Sequence, residues 1–373
     1  MVPILFRSTD AYDVPARQNW DAVLIPAPEV VTSSRMKQLV EALCSDECEG
    51  RAPGTPGGLA ARAIVMEGFR DAGLSPEEQK IAVGANVLAS VPGTTERWVM
   101  VAAHYDHLGK FGDDIYRGAD DNAAAVAVLI EVARALAGEK PKRGVIFAAF
   151  DAEEQPHFLQ ETMGSQEWVR RPTVPLERVD LMICMDLIGH AVGPPWTPDE
   201  VRQTLFALGA ERSTGTSAHV DAMARVVPGV VVRRADVEVI PPLSDYDAFW
   251  RKEIPFLFLS CGRGRRYHTP GDTPHWLDWA KMKATARWLE QFVRETCARP
   301  EPRIAWMPGA RDDDSSLGTL IEIGNALRPV ADVARLVAAA MELRAGCDLH
   351  GRVPESSRRD LERLVEVLEQ ALA

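Results

Sequence analysis

Trp98-Val99-Met100-Val101-Ala102-Ala103-His104-Tyr105-Asp106-His107, followed downstream by Gly118-Ala119-Asp120-Asp121-Asn122, is the stretch on which the reading of this chain turns. An apolar run, 98–103, ends on polar residues able to bind a metal. A helix of small residues is expected next, Ala123 to Leu136. A second apolar run, Val145 to Phe150, leads into Asp151-Ala152-Glu153-Glu154. Each cluster of possible ligands therefore stands where a strand ends or a helix begins. In open α/β sheets, that edge is where active sites are built.

The residue types suit metal chemistry. His104 and Asp106 are two apart, so at the end of a strand they point the same way. Histidine is the commonest zinc ligand, and a carboxylate often holds its second nitrogen. Asp121, at a helix start, is placed to accept backbone N–H bonds or to bridge ions. Glu153 and Glu154 are adjacent carboxylates, which suits one as a ligand and one as a base. Each motif also has a plain reading: an isolated His-x-Asp, an N-cap before a helix, a solvated Glu pair. Their joint occurrence at strand–helix junctions favours the chemical one. Two further acceptors complete the set: Asp186, after Leu181-Met182-Ile183-Cys184-Met185, and His268, in Tyr267-His268-Thr269-Pro270-Gly271-Asp272.

With these residues in place, the chain resembles the zinc aminopeptidases of metallopeptidase family twenty-eight, clan MH. That family also holds glutamate carboxypeptidases, glutaminyl cyclases and the transferrin receptor. The matching motifs are Ala-His-Tyr-Asp-His-Leu-Gly at 103–109, Gly-Ala-Asp-Asp-Asn-Ala at 118–123, Ala-Glu-Glu at 152–154, Met-Asp at 185–186, Ser-Asp-Tyr at 244–246 and Tyr-His-Thr at 267–269. An upstream Glu49-Gly50-Arg51-Ala52-Pro53-Gly54-Thr55 is also similar, and the likeness runs from about 36 to 297. It implies an α/β fold: a three-layer sandwich with a central mixed, mostly parallel sheet flanked by helices. It implies two zinc ions, with cobalt or manganese as alternatives. His104 and Asp186 would hold one ion, Glu154 and His268 the other, and Asp121, following the second Asp of the motif rather than Asp120, would bridge them. A metal-activated water would attack an amide carbonyl, with Glu153 as general base. Asp106 would orient His104, and Tyr267 would donate a hydrogen bond to the oxyanion.

The rest of the chain sets bounds. Its 373 residues carry a net charge of −12, which argues against a nucleic-acid or anionic-membrane surface. No run is long and apolar enough to span a membrane. Met1 to Phe6 is too short and lacks the basic region of a signal peptide, so a cytoplasmic setting with reduced cysteines is expected. Residues 1–33 read as an irregular, Pro-rich segment lying over the catalytic domain, 34–299 as that domain, 300–315 as a linker, and 316–373 as a C-terminal helical extension. That extension is a candidate lid, dimer element or cover for an exposed face. Gln155 to Met163 departs from the family spacing and reads either as a surface bulge or as a pocket wall. Arg263, Arg265 and Arg266 precede Tyr267 and read either as a solvated loop or as a site for a substrate carboxylate.

The expected activity is removal of the N-terminal residue from a peptide. The alternatives are a carboxypeptidase, a deacylase or a glutaminyl cyclase of the same fold, or a binding protein with a dead site. The last fits poorly, since every ligand and the base are present. The expected partner is a peptide or small amide, with self-association through the C-terminal helices as an option.

Overall fold

The computed structural model describes residues 31–300 and 303–372. The expectation for the N-terminal segment falls, up to residue 30, outside the described residues. The chain opens with helices α1 (Ser33–Leu43) and α2 (Pro56–Asp71), then a short antiparallel pair, β1 (Glu77–Lys80) and β2 (Ala85–Val91), and the quoted apolar run as β3 (Trp98–His104). A hairpin of β4 (Gly109–Phe111) and β5 (Asp114–Tyr116) precedes α3 (Ala124–Leu136) and β6 (Gly144–Phe150). Next come α4 (Gly164–Arg170), β7 (Val179–Met185), α5 (Asp199–Arg202), β8 (Thr204–Leu208), α6 (Thr216–Met223) and β9 (Val231–Ala235). The chain continues through α7 (Tyr246–Trp250), β10 (Phe256–Ser260), the long α8 (Trp279–Ala298), α9 (Asp313–Leu327), α10 (Ala334–Ala345) and α11 (Arg358–Leu372).

Eight strands form one sheet in the order β1-β2-β6-β3-β7-β10-β8-β9. The four central strands, β6, β3, β7 and β10, run parallel; β2 and β8 join them antiparallel, and β9 runs parallel to β8. Parallel strands buried on both faces are largely apolar, as the wholly buried β6 is, and as β7 is apart from the buried Asp180. Alternation sorts β3 between two cores: Val99, Val101 and Ala103 face α3 and α8, while Met100 and Ala102 face the layer of Trp168, Tyr246 and Phe249. Small residues let α3 pack closely: Ala124 through Ala127 are fully buried, and Ala123 just before them is too. At the N-terminal ends of the strands, the buried Arg143 donates to Asp180 (2.7 Å) and to the carbonyl of Arg299 (2.6 Å), tying β6 and β7 to the end of α8.

Several boundaries differ from the sequence reading, each for a local reason. A strand expected over Val201–Leu208 begins only at Thr204, because Pro198 with Asp199 and Glu200 starts a helical turn. Helical periodicity over Ser316–Leu343 is interrupted between α9 and α10, where Pro329 cannot continue a helix. The helix expected from Trp276 starts at Trp279, capped by Asp278, which accepts the Lys281 N–H at 3.0 Å.

Candidate metal centre

The four parallel central strands end at one edge, and the sequence-selected residues gather there. His104 is the last residue of β3, Asp186 follows β7, and Glu153 and Glu154 follow β6 by a short turn. Asp121 lies in the turn before α3, and His268 comes from the loop after β10. His104, Asp121, Glu153, Glu154 and Asp186 are all buried.

Asp121 sits at the centre. Its Oδ1 lies 3.4 Å from His104 Nε2 and its Oδ2 lies 3.1 Å from His268 Nε2, so one carboxylate faces two imidazoles. On the first side, His104 Nε2 is also 3.6 Å from Asp186 Oδ1 and 3.8 Å from Glu153 Oε2. On the second, His268 Nε2 is 3.2 Å from Glu154 Oε2. Asp120 is directed elsewhere: its carboxylate accepts the Gly189 N–H (2.7 Å) and pairs with His190 Nδ1 (2.6 Å).

These donors fit a cation. His104 Nε2, His268 Nε2 and Asp186 Oδ1 are buried and hydrogen-bonded to nothing, although carboxylate oxygens surround the two nitrogens. Orphaned buried polar atoms of this kind are rare, and imidazole and carboxylate are zinc's usual nitrogen and oxygen ligands. Two compact groups are set apart, His104 with Glu153 and Asp186, and His107 with Asp121 and Glu154, the ligand atoms in each lying within 4.8 Å of one another. Burial lowers the proton affinity of His104, but Glu153 and Asp186 overcome that and hold the imidazolium well above its ordinary value. His268 is likewise pulled down by burial and pushed up, to about 10, by Asp121 and Glu154. Burial also lifts Glu153 well above the carboxylate range; His104 opposes this, and Glu154 and Asp186 add to it. The site thus strongly favours positive charge.

A supporting shell fixes these side chains. Asp106 stands 3.5 Å from His104 Nδ1, and its two oxygens also accept the backbone N–H groups of Glu153 (3.0 Å) and Glu154 (3.1 Å). It therefore positions the glutamate pair as well as the histidine. Asp272 accepts the N–H groups of Asp120 and Asp121, and Asn122 reaches the carbonyl of Met185 at 2.9 Å. Backbone strain concentrates at the same place. Ala152 (φ 59°), Leu187 (φ 55°) and His268 (φ 55°) are all left-handed, one before Glu153, one after Asp186, one at the histidine itself.

Two residues escaped the sequence reading. His107 lies within the quoted motif but had no role; its Nδ1 is 2.9 Å from Glu154 Oε1, on the side away from His268. Arg51, part of the upstream motif, is fully buried and gives its guanidinium to the carbonyls of Leu43, Tyr105, Arg117 and Gly118, which holds the turn that carries Asp121. The second His of His-x-Asp-His and the Arg of Glu-Gly-Arg were the available signals.

Tyr267 borders the centre, its ring stacked 3.8 Å from that of His268, and burial raises its phenol so that the proton is retained. Arg263 lies over the Tyr267 ring and Arg266 over Trp276, so the arginine loop is partly spent on aromatic faces. Gln155 and Phe158 line the cavity at the site, which makes the insert a pocket wall; His157 pairs with Thr162 inside it. The cavity encloses about 290 Å³. The six cysteines are free thiols, and no helix among the described residues is long and apolar enough to cross a membrane.

Comparison with known proteins agrees with this geometry. Residues 86–293 match the model of Peptidase family M28. An uncharacterised Escherichia coli protein, YfbL, is 27% identical over 291 residues, covering 71% of this chain and 88% of that protein. Bovine glutaminyl-peptide cyclotransferase is 27% identical over 175 residues, 37% of this chain and 48% of that enzyme. The LapA aminopeptidase of Legionella pneumophila shares the fold with a TM-score of 0.61 at 18% identity, covering 79% of each chain.

Proposed function

The chain belongs to Peptidase family M28, a metal-dependent, peptidase-like enzyme, and from that premise we propose that it is a di-zinc aminopeptidase. The observation that carries this reading is the convergence of Asp121, Glu153, Glu154 and Asp186 on two imidazole nitrogens at the head of one cavity. His104 and Asp186 would hold one zinc, His268 and Glu154 the other, and Asp121 would bridge them, with His107 fixing Glu154 from behind. Bound zinc supplies an acidified water and a polarised carbonyl. Glu153, buried beside His104, would take the proton from the attacking water and return it to the leaving amine. Asp106 keeps the Glu153 and Glu154 backbone in register. Tyr267 retains its proton and so remains a donor for the oxyanion. The acidic surroundings favour a substrate's free ammonium over a carboxylate.

The match to the bovine cyclotransferase supports a second reading, cyclisation of an N-terminal glutamine. One experiment separates the two. The zinc-loaded protein, its metal counted by elemental analysis, is given matched peptides with free, acetylated and glutaminyl N-termini. The expected result is two zinc ions per chain, release of the free N-terminal residue, and no cleavage after acetylation. Loss of ammonia from the glutaminyl peptide without peptide cleavage would replace this reading with the cyclase.

A further inference from the structure

The cavity is built from more than the segment that matches the family. Beside the carboxylates, its walls are mostly apolar: Leu208 of β8 and Phe258 of β10, Leu320 of α9, and Val365, Leu368 and Leu372 of α11, with Arg263 and Glu369 also on its lining. The α9 and α11 residues lie outside residues 86–293. Their positions explain why α11 turns this face inward. Leu361, Val365, Leu368 and Leu372 recur at steps of three and four, one stripe of a helix. Leu361 is buried in the main core, and the following three reach the cavity. The opposite face, with Arg363, Glu366 and Gln370, is exposed. The helix rests on α9 and on the turn Val237–Val239. An ion-pair cluster of Arg358 with Asp313 pins its first turn to the start of α9.

We propose that α11, with α9, is the specificity-determining wall of the substrate pocket, and that the group it receives is a large aliphatic or aromatic side chain on the substrate's N-terminal residue. That this group is the N-terminal side chain rests on the aminopeptidase reading; that the wall selects for apolar size does not. A charged side chain would lose its water against Leu208, Phe258 and Leu368, which outweigh the Glu369 and Arg263 on the same lining. A small one would leave the wall unfilled.

The test uses the full-length, zinc-loaded chain and aminoacyl anilides of glycine, alanine, leucine and phenylalanine. Val365→Trp fills the pocket, Leu372→Ala opens it at the helix end with little cost to folding, and Val367→Ala, on the exposed face, is the control. Wild type is expected to prefer leucine and phenylalanine over alanine by roughly tenfold or more in kcat/KM, the scale on which apolar pockets discriminate. Val365→Trp should lower kcat/KM for the large residues by about tenfold and leave glycine and alanine within about twofold. Leu372→Ala should shift the preference toward phenylalanine, and the control should match wild type. Equal effects on large and small residues, or none, would overturn the proposal. Should no anilide be cleaved by any protein, the aminopeptidase reading fails by itself, and the wall is judged by calorimetric binding of hexylamine against methylamine. Selective loss of hexylamine binding in Val365→Trp then supports it, and unchanged or absent hexylamine binding overturns it.

Discussion

Arg51 shows how far one side chain can reach. Its guanidinium donates at 2.8 Å to Tyr105, at 3.0 Å to Leu43 and at 2.9 Å to Gly118, joining the segment after β3 to the turn that carries Asp121. Only a planar, multiply donating cation spans those carbonyls; a lysine ammonium is a point charge on a flexible stem. Arg51→Lys is therefore expected to leave buried carbonyls unpaired at about 1–3 kcal/mol each. Because the affected turn holds Asp121, the variant should also load less zinc than wild type at the same free concentration. Wild-type zinc affinity by calorimetry, together with unchanged melting, would show that the guanidinium does not position the turn. At this scale the sequence was legible wherever a residue carries its own chemistry: the histidines and carboxylates stood out by type and spacing. His107 did not, because its role is to hold Glu154, and a role exerted through a neighbour leaves no spacing rule. The choice of Asp121 over Asp120 came from motif order; the contacts of Asp120 with Gly189 and His190 supply its physical reason.

Elements were legible in proportion to their burial. The fully apolar strands and the small-residue helix α3 declared themselves. The strand Glu77–Lys80 did not, because it is a largely exposed edge of charged and amide residues. Beyond β8, a single helical turn, Ala210–Arg212, places Glu211 against the turn Val237–Val239 that follows β9, where its carboxylate accepts the Val237 N–H at 3.1 Å. Burial, with Asp236 nearby, pushes Glu211 up to about 8; its own and the Val237 backbone N–H groups and the neighbouring Arg212 oppose the shift. The sign follows from linkage. The folded pKa lies above the unfolded value of about 4.3, so the ionised form is the costly one. Its contribution to stability is present in acid and lost as pH rises from about 4.5 through about 8. Glu211→Gln keeps the acceptor and removes the charge. The variant should melt above wild type at pH 9 and close to it at pH 4.5. A wild-type advantage at pH 9 would mean that the ionised carboxylate is welcome there.

For the whole molecule, the sheet order was not legible: nothing in a strand's own residues states that β8 runs antiparallel to β10 or that β9 closes the edge. The mostly parallel centre was implied by the family resemblance, and β3, α3 and β6 show the helical crossover that a parallel pair requires. That centre brings together carboxylates from four separate segments, and their mutual repulsion opposes compaction until a cation is bound. Chelation should therefore lower the melting temperature by several degrees, and zinc should restore it, because a ligand that binds only the folded state stabilises by mass action. A melting curve indifferent to chelator and to zinc would mean that the cluster is stable on its own charges.

The dispersal of the proposed ligand residues has a further consequence. His104, Asp121, Glu154, Asp186 and His268 come from distant parts of the chain and meet only at the finished strand edge. No hairpin or helix pair taken alone can assemble a complete set. On the proposed reading, a partly folded chain is therefore inactive. On the same reading, metal capture becomes an inspection step, passed only once the sheet is complete.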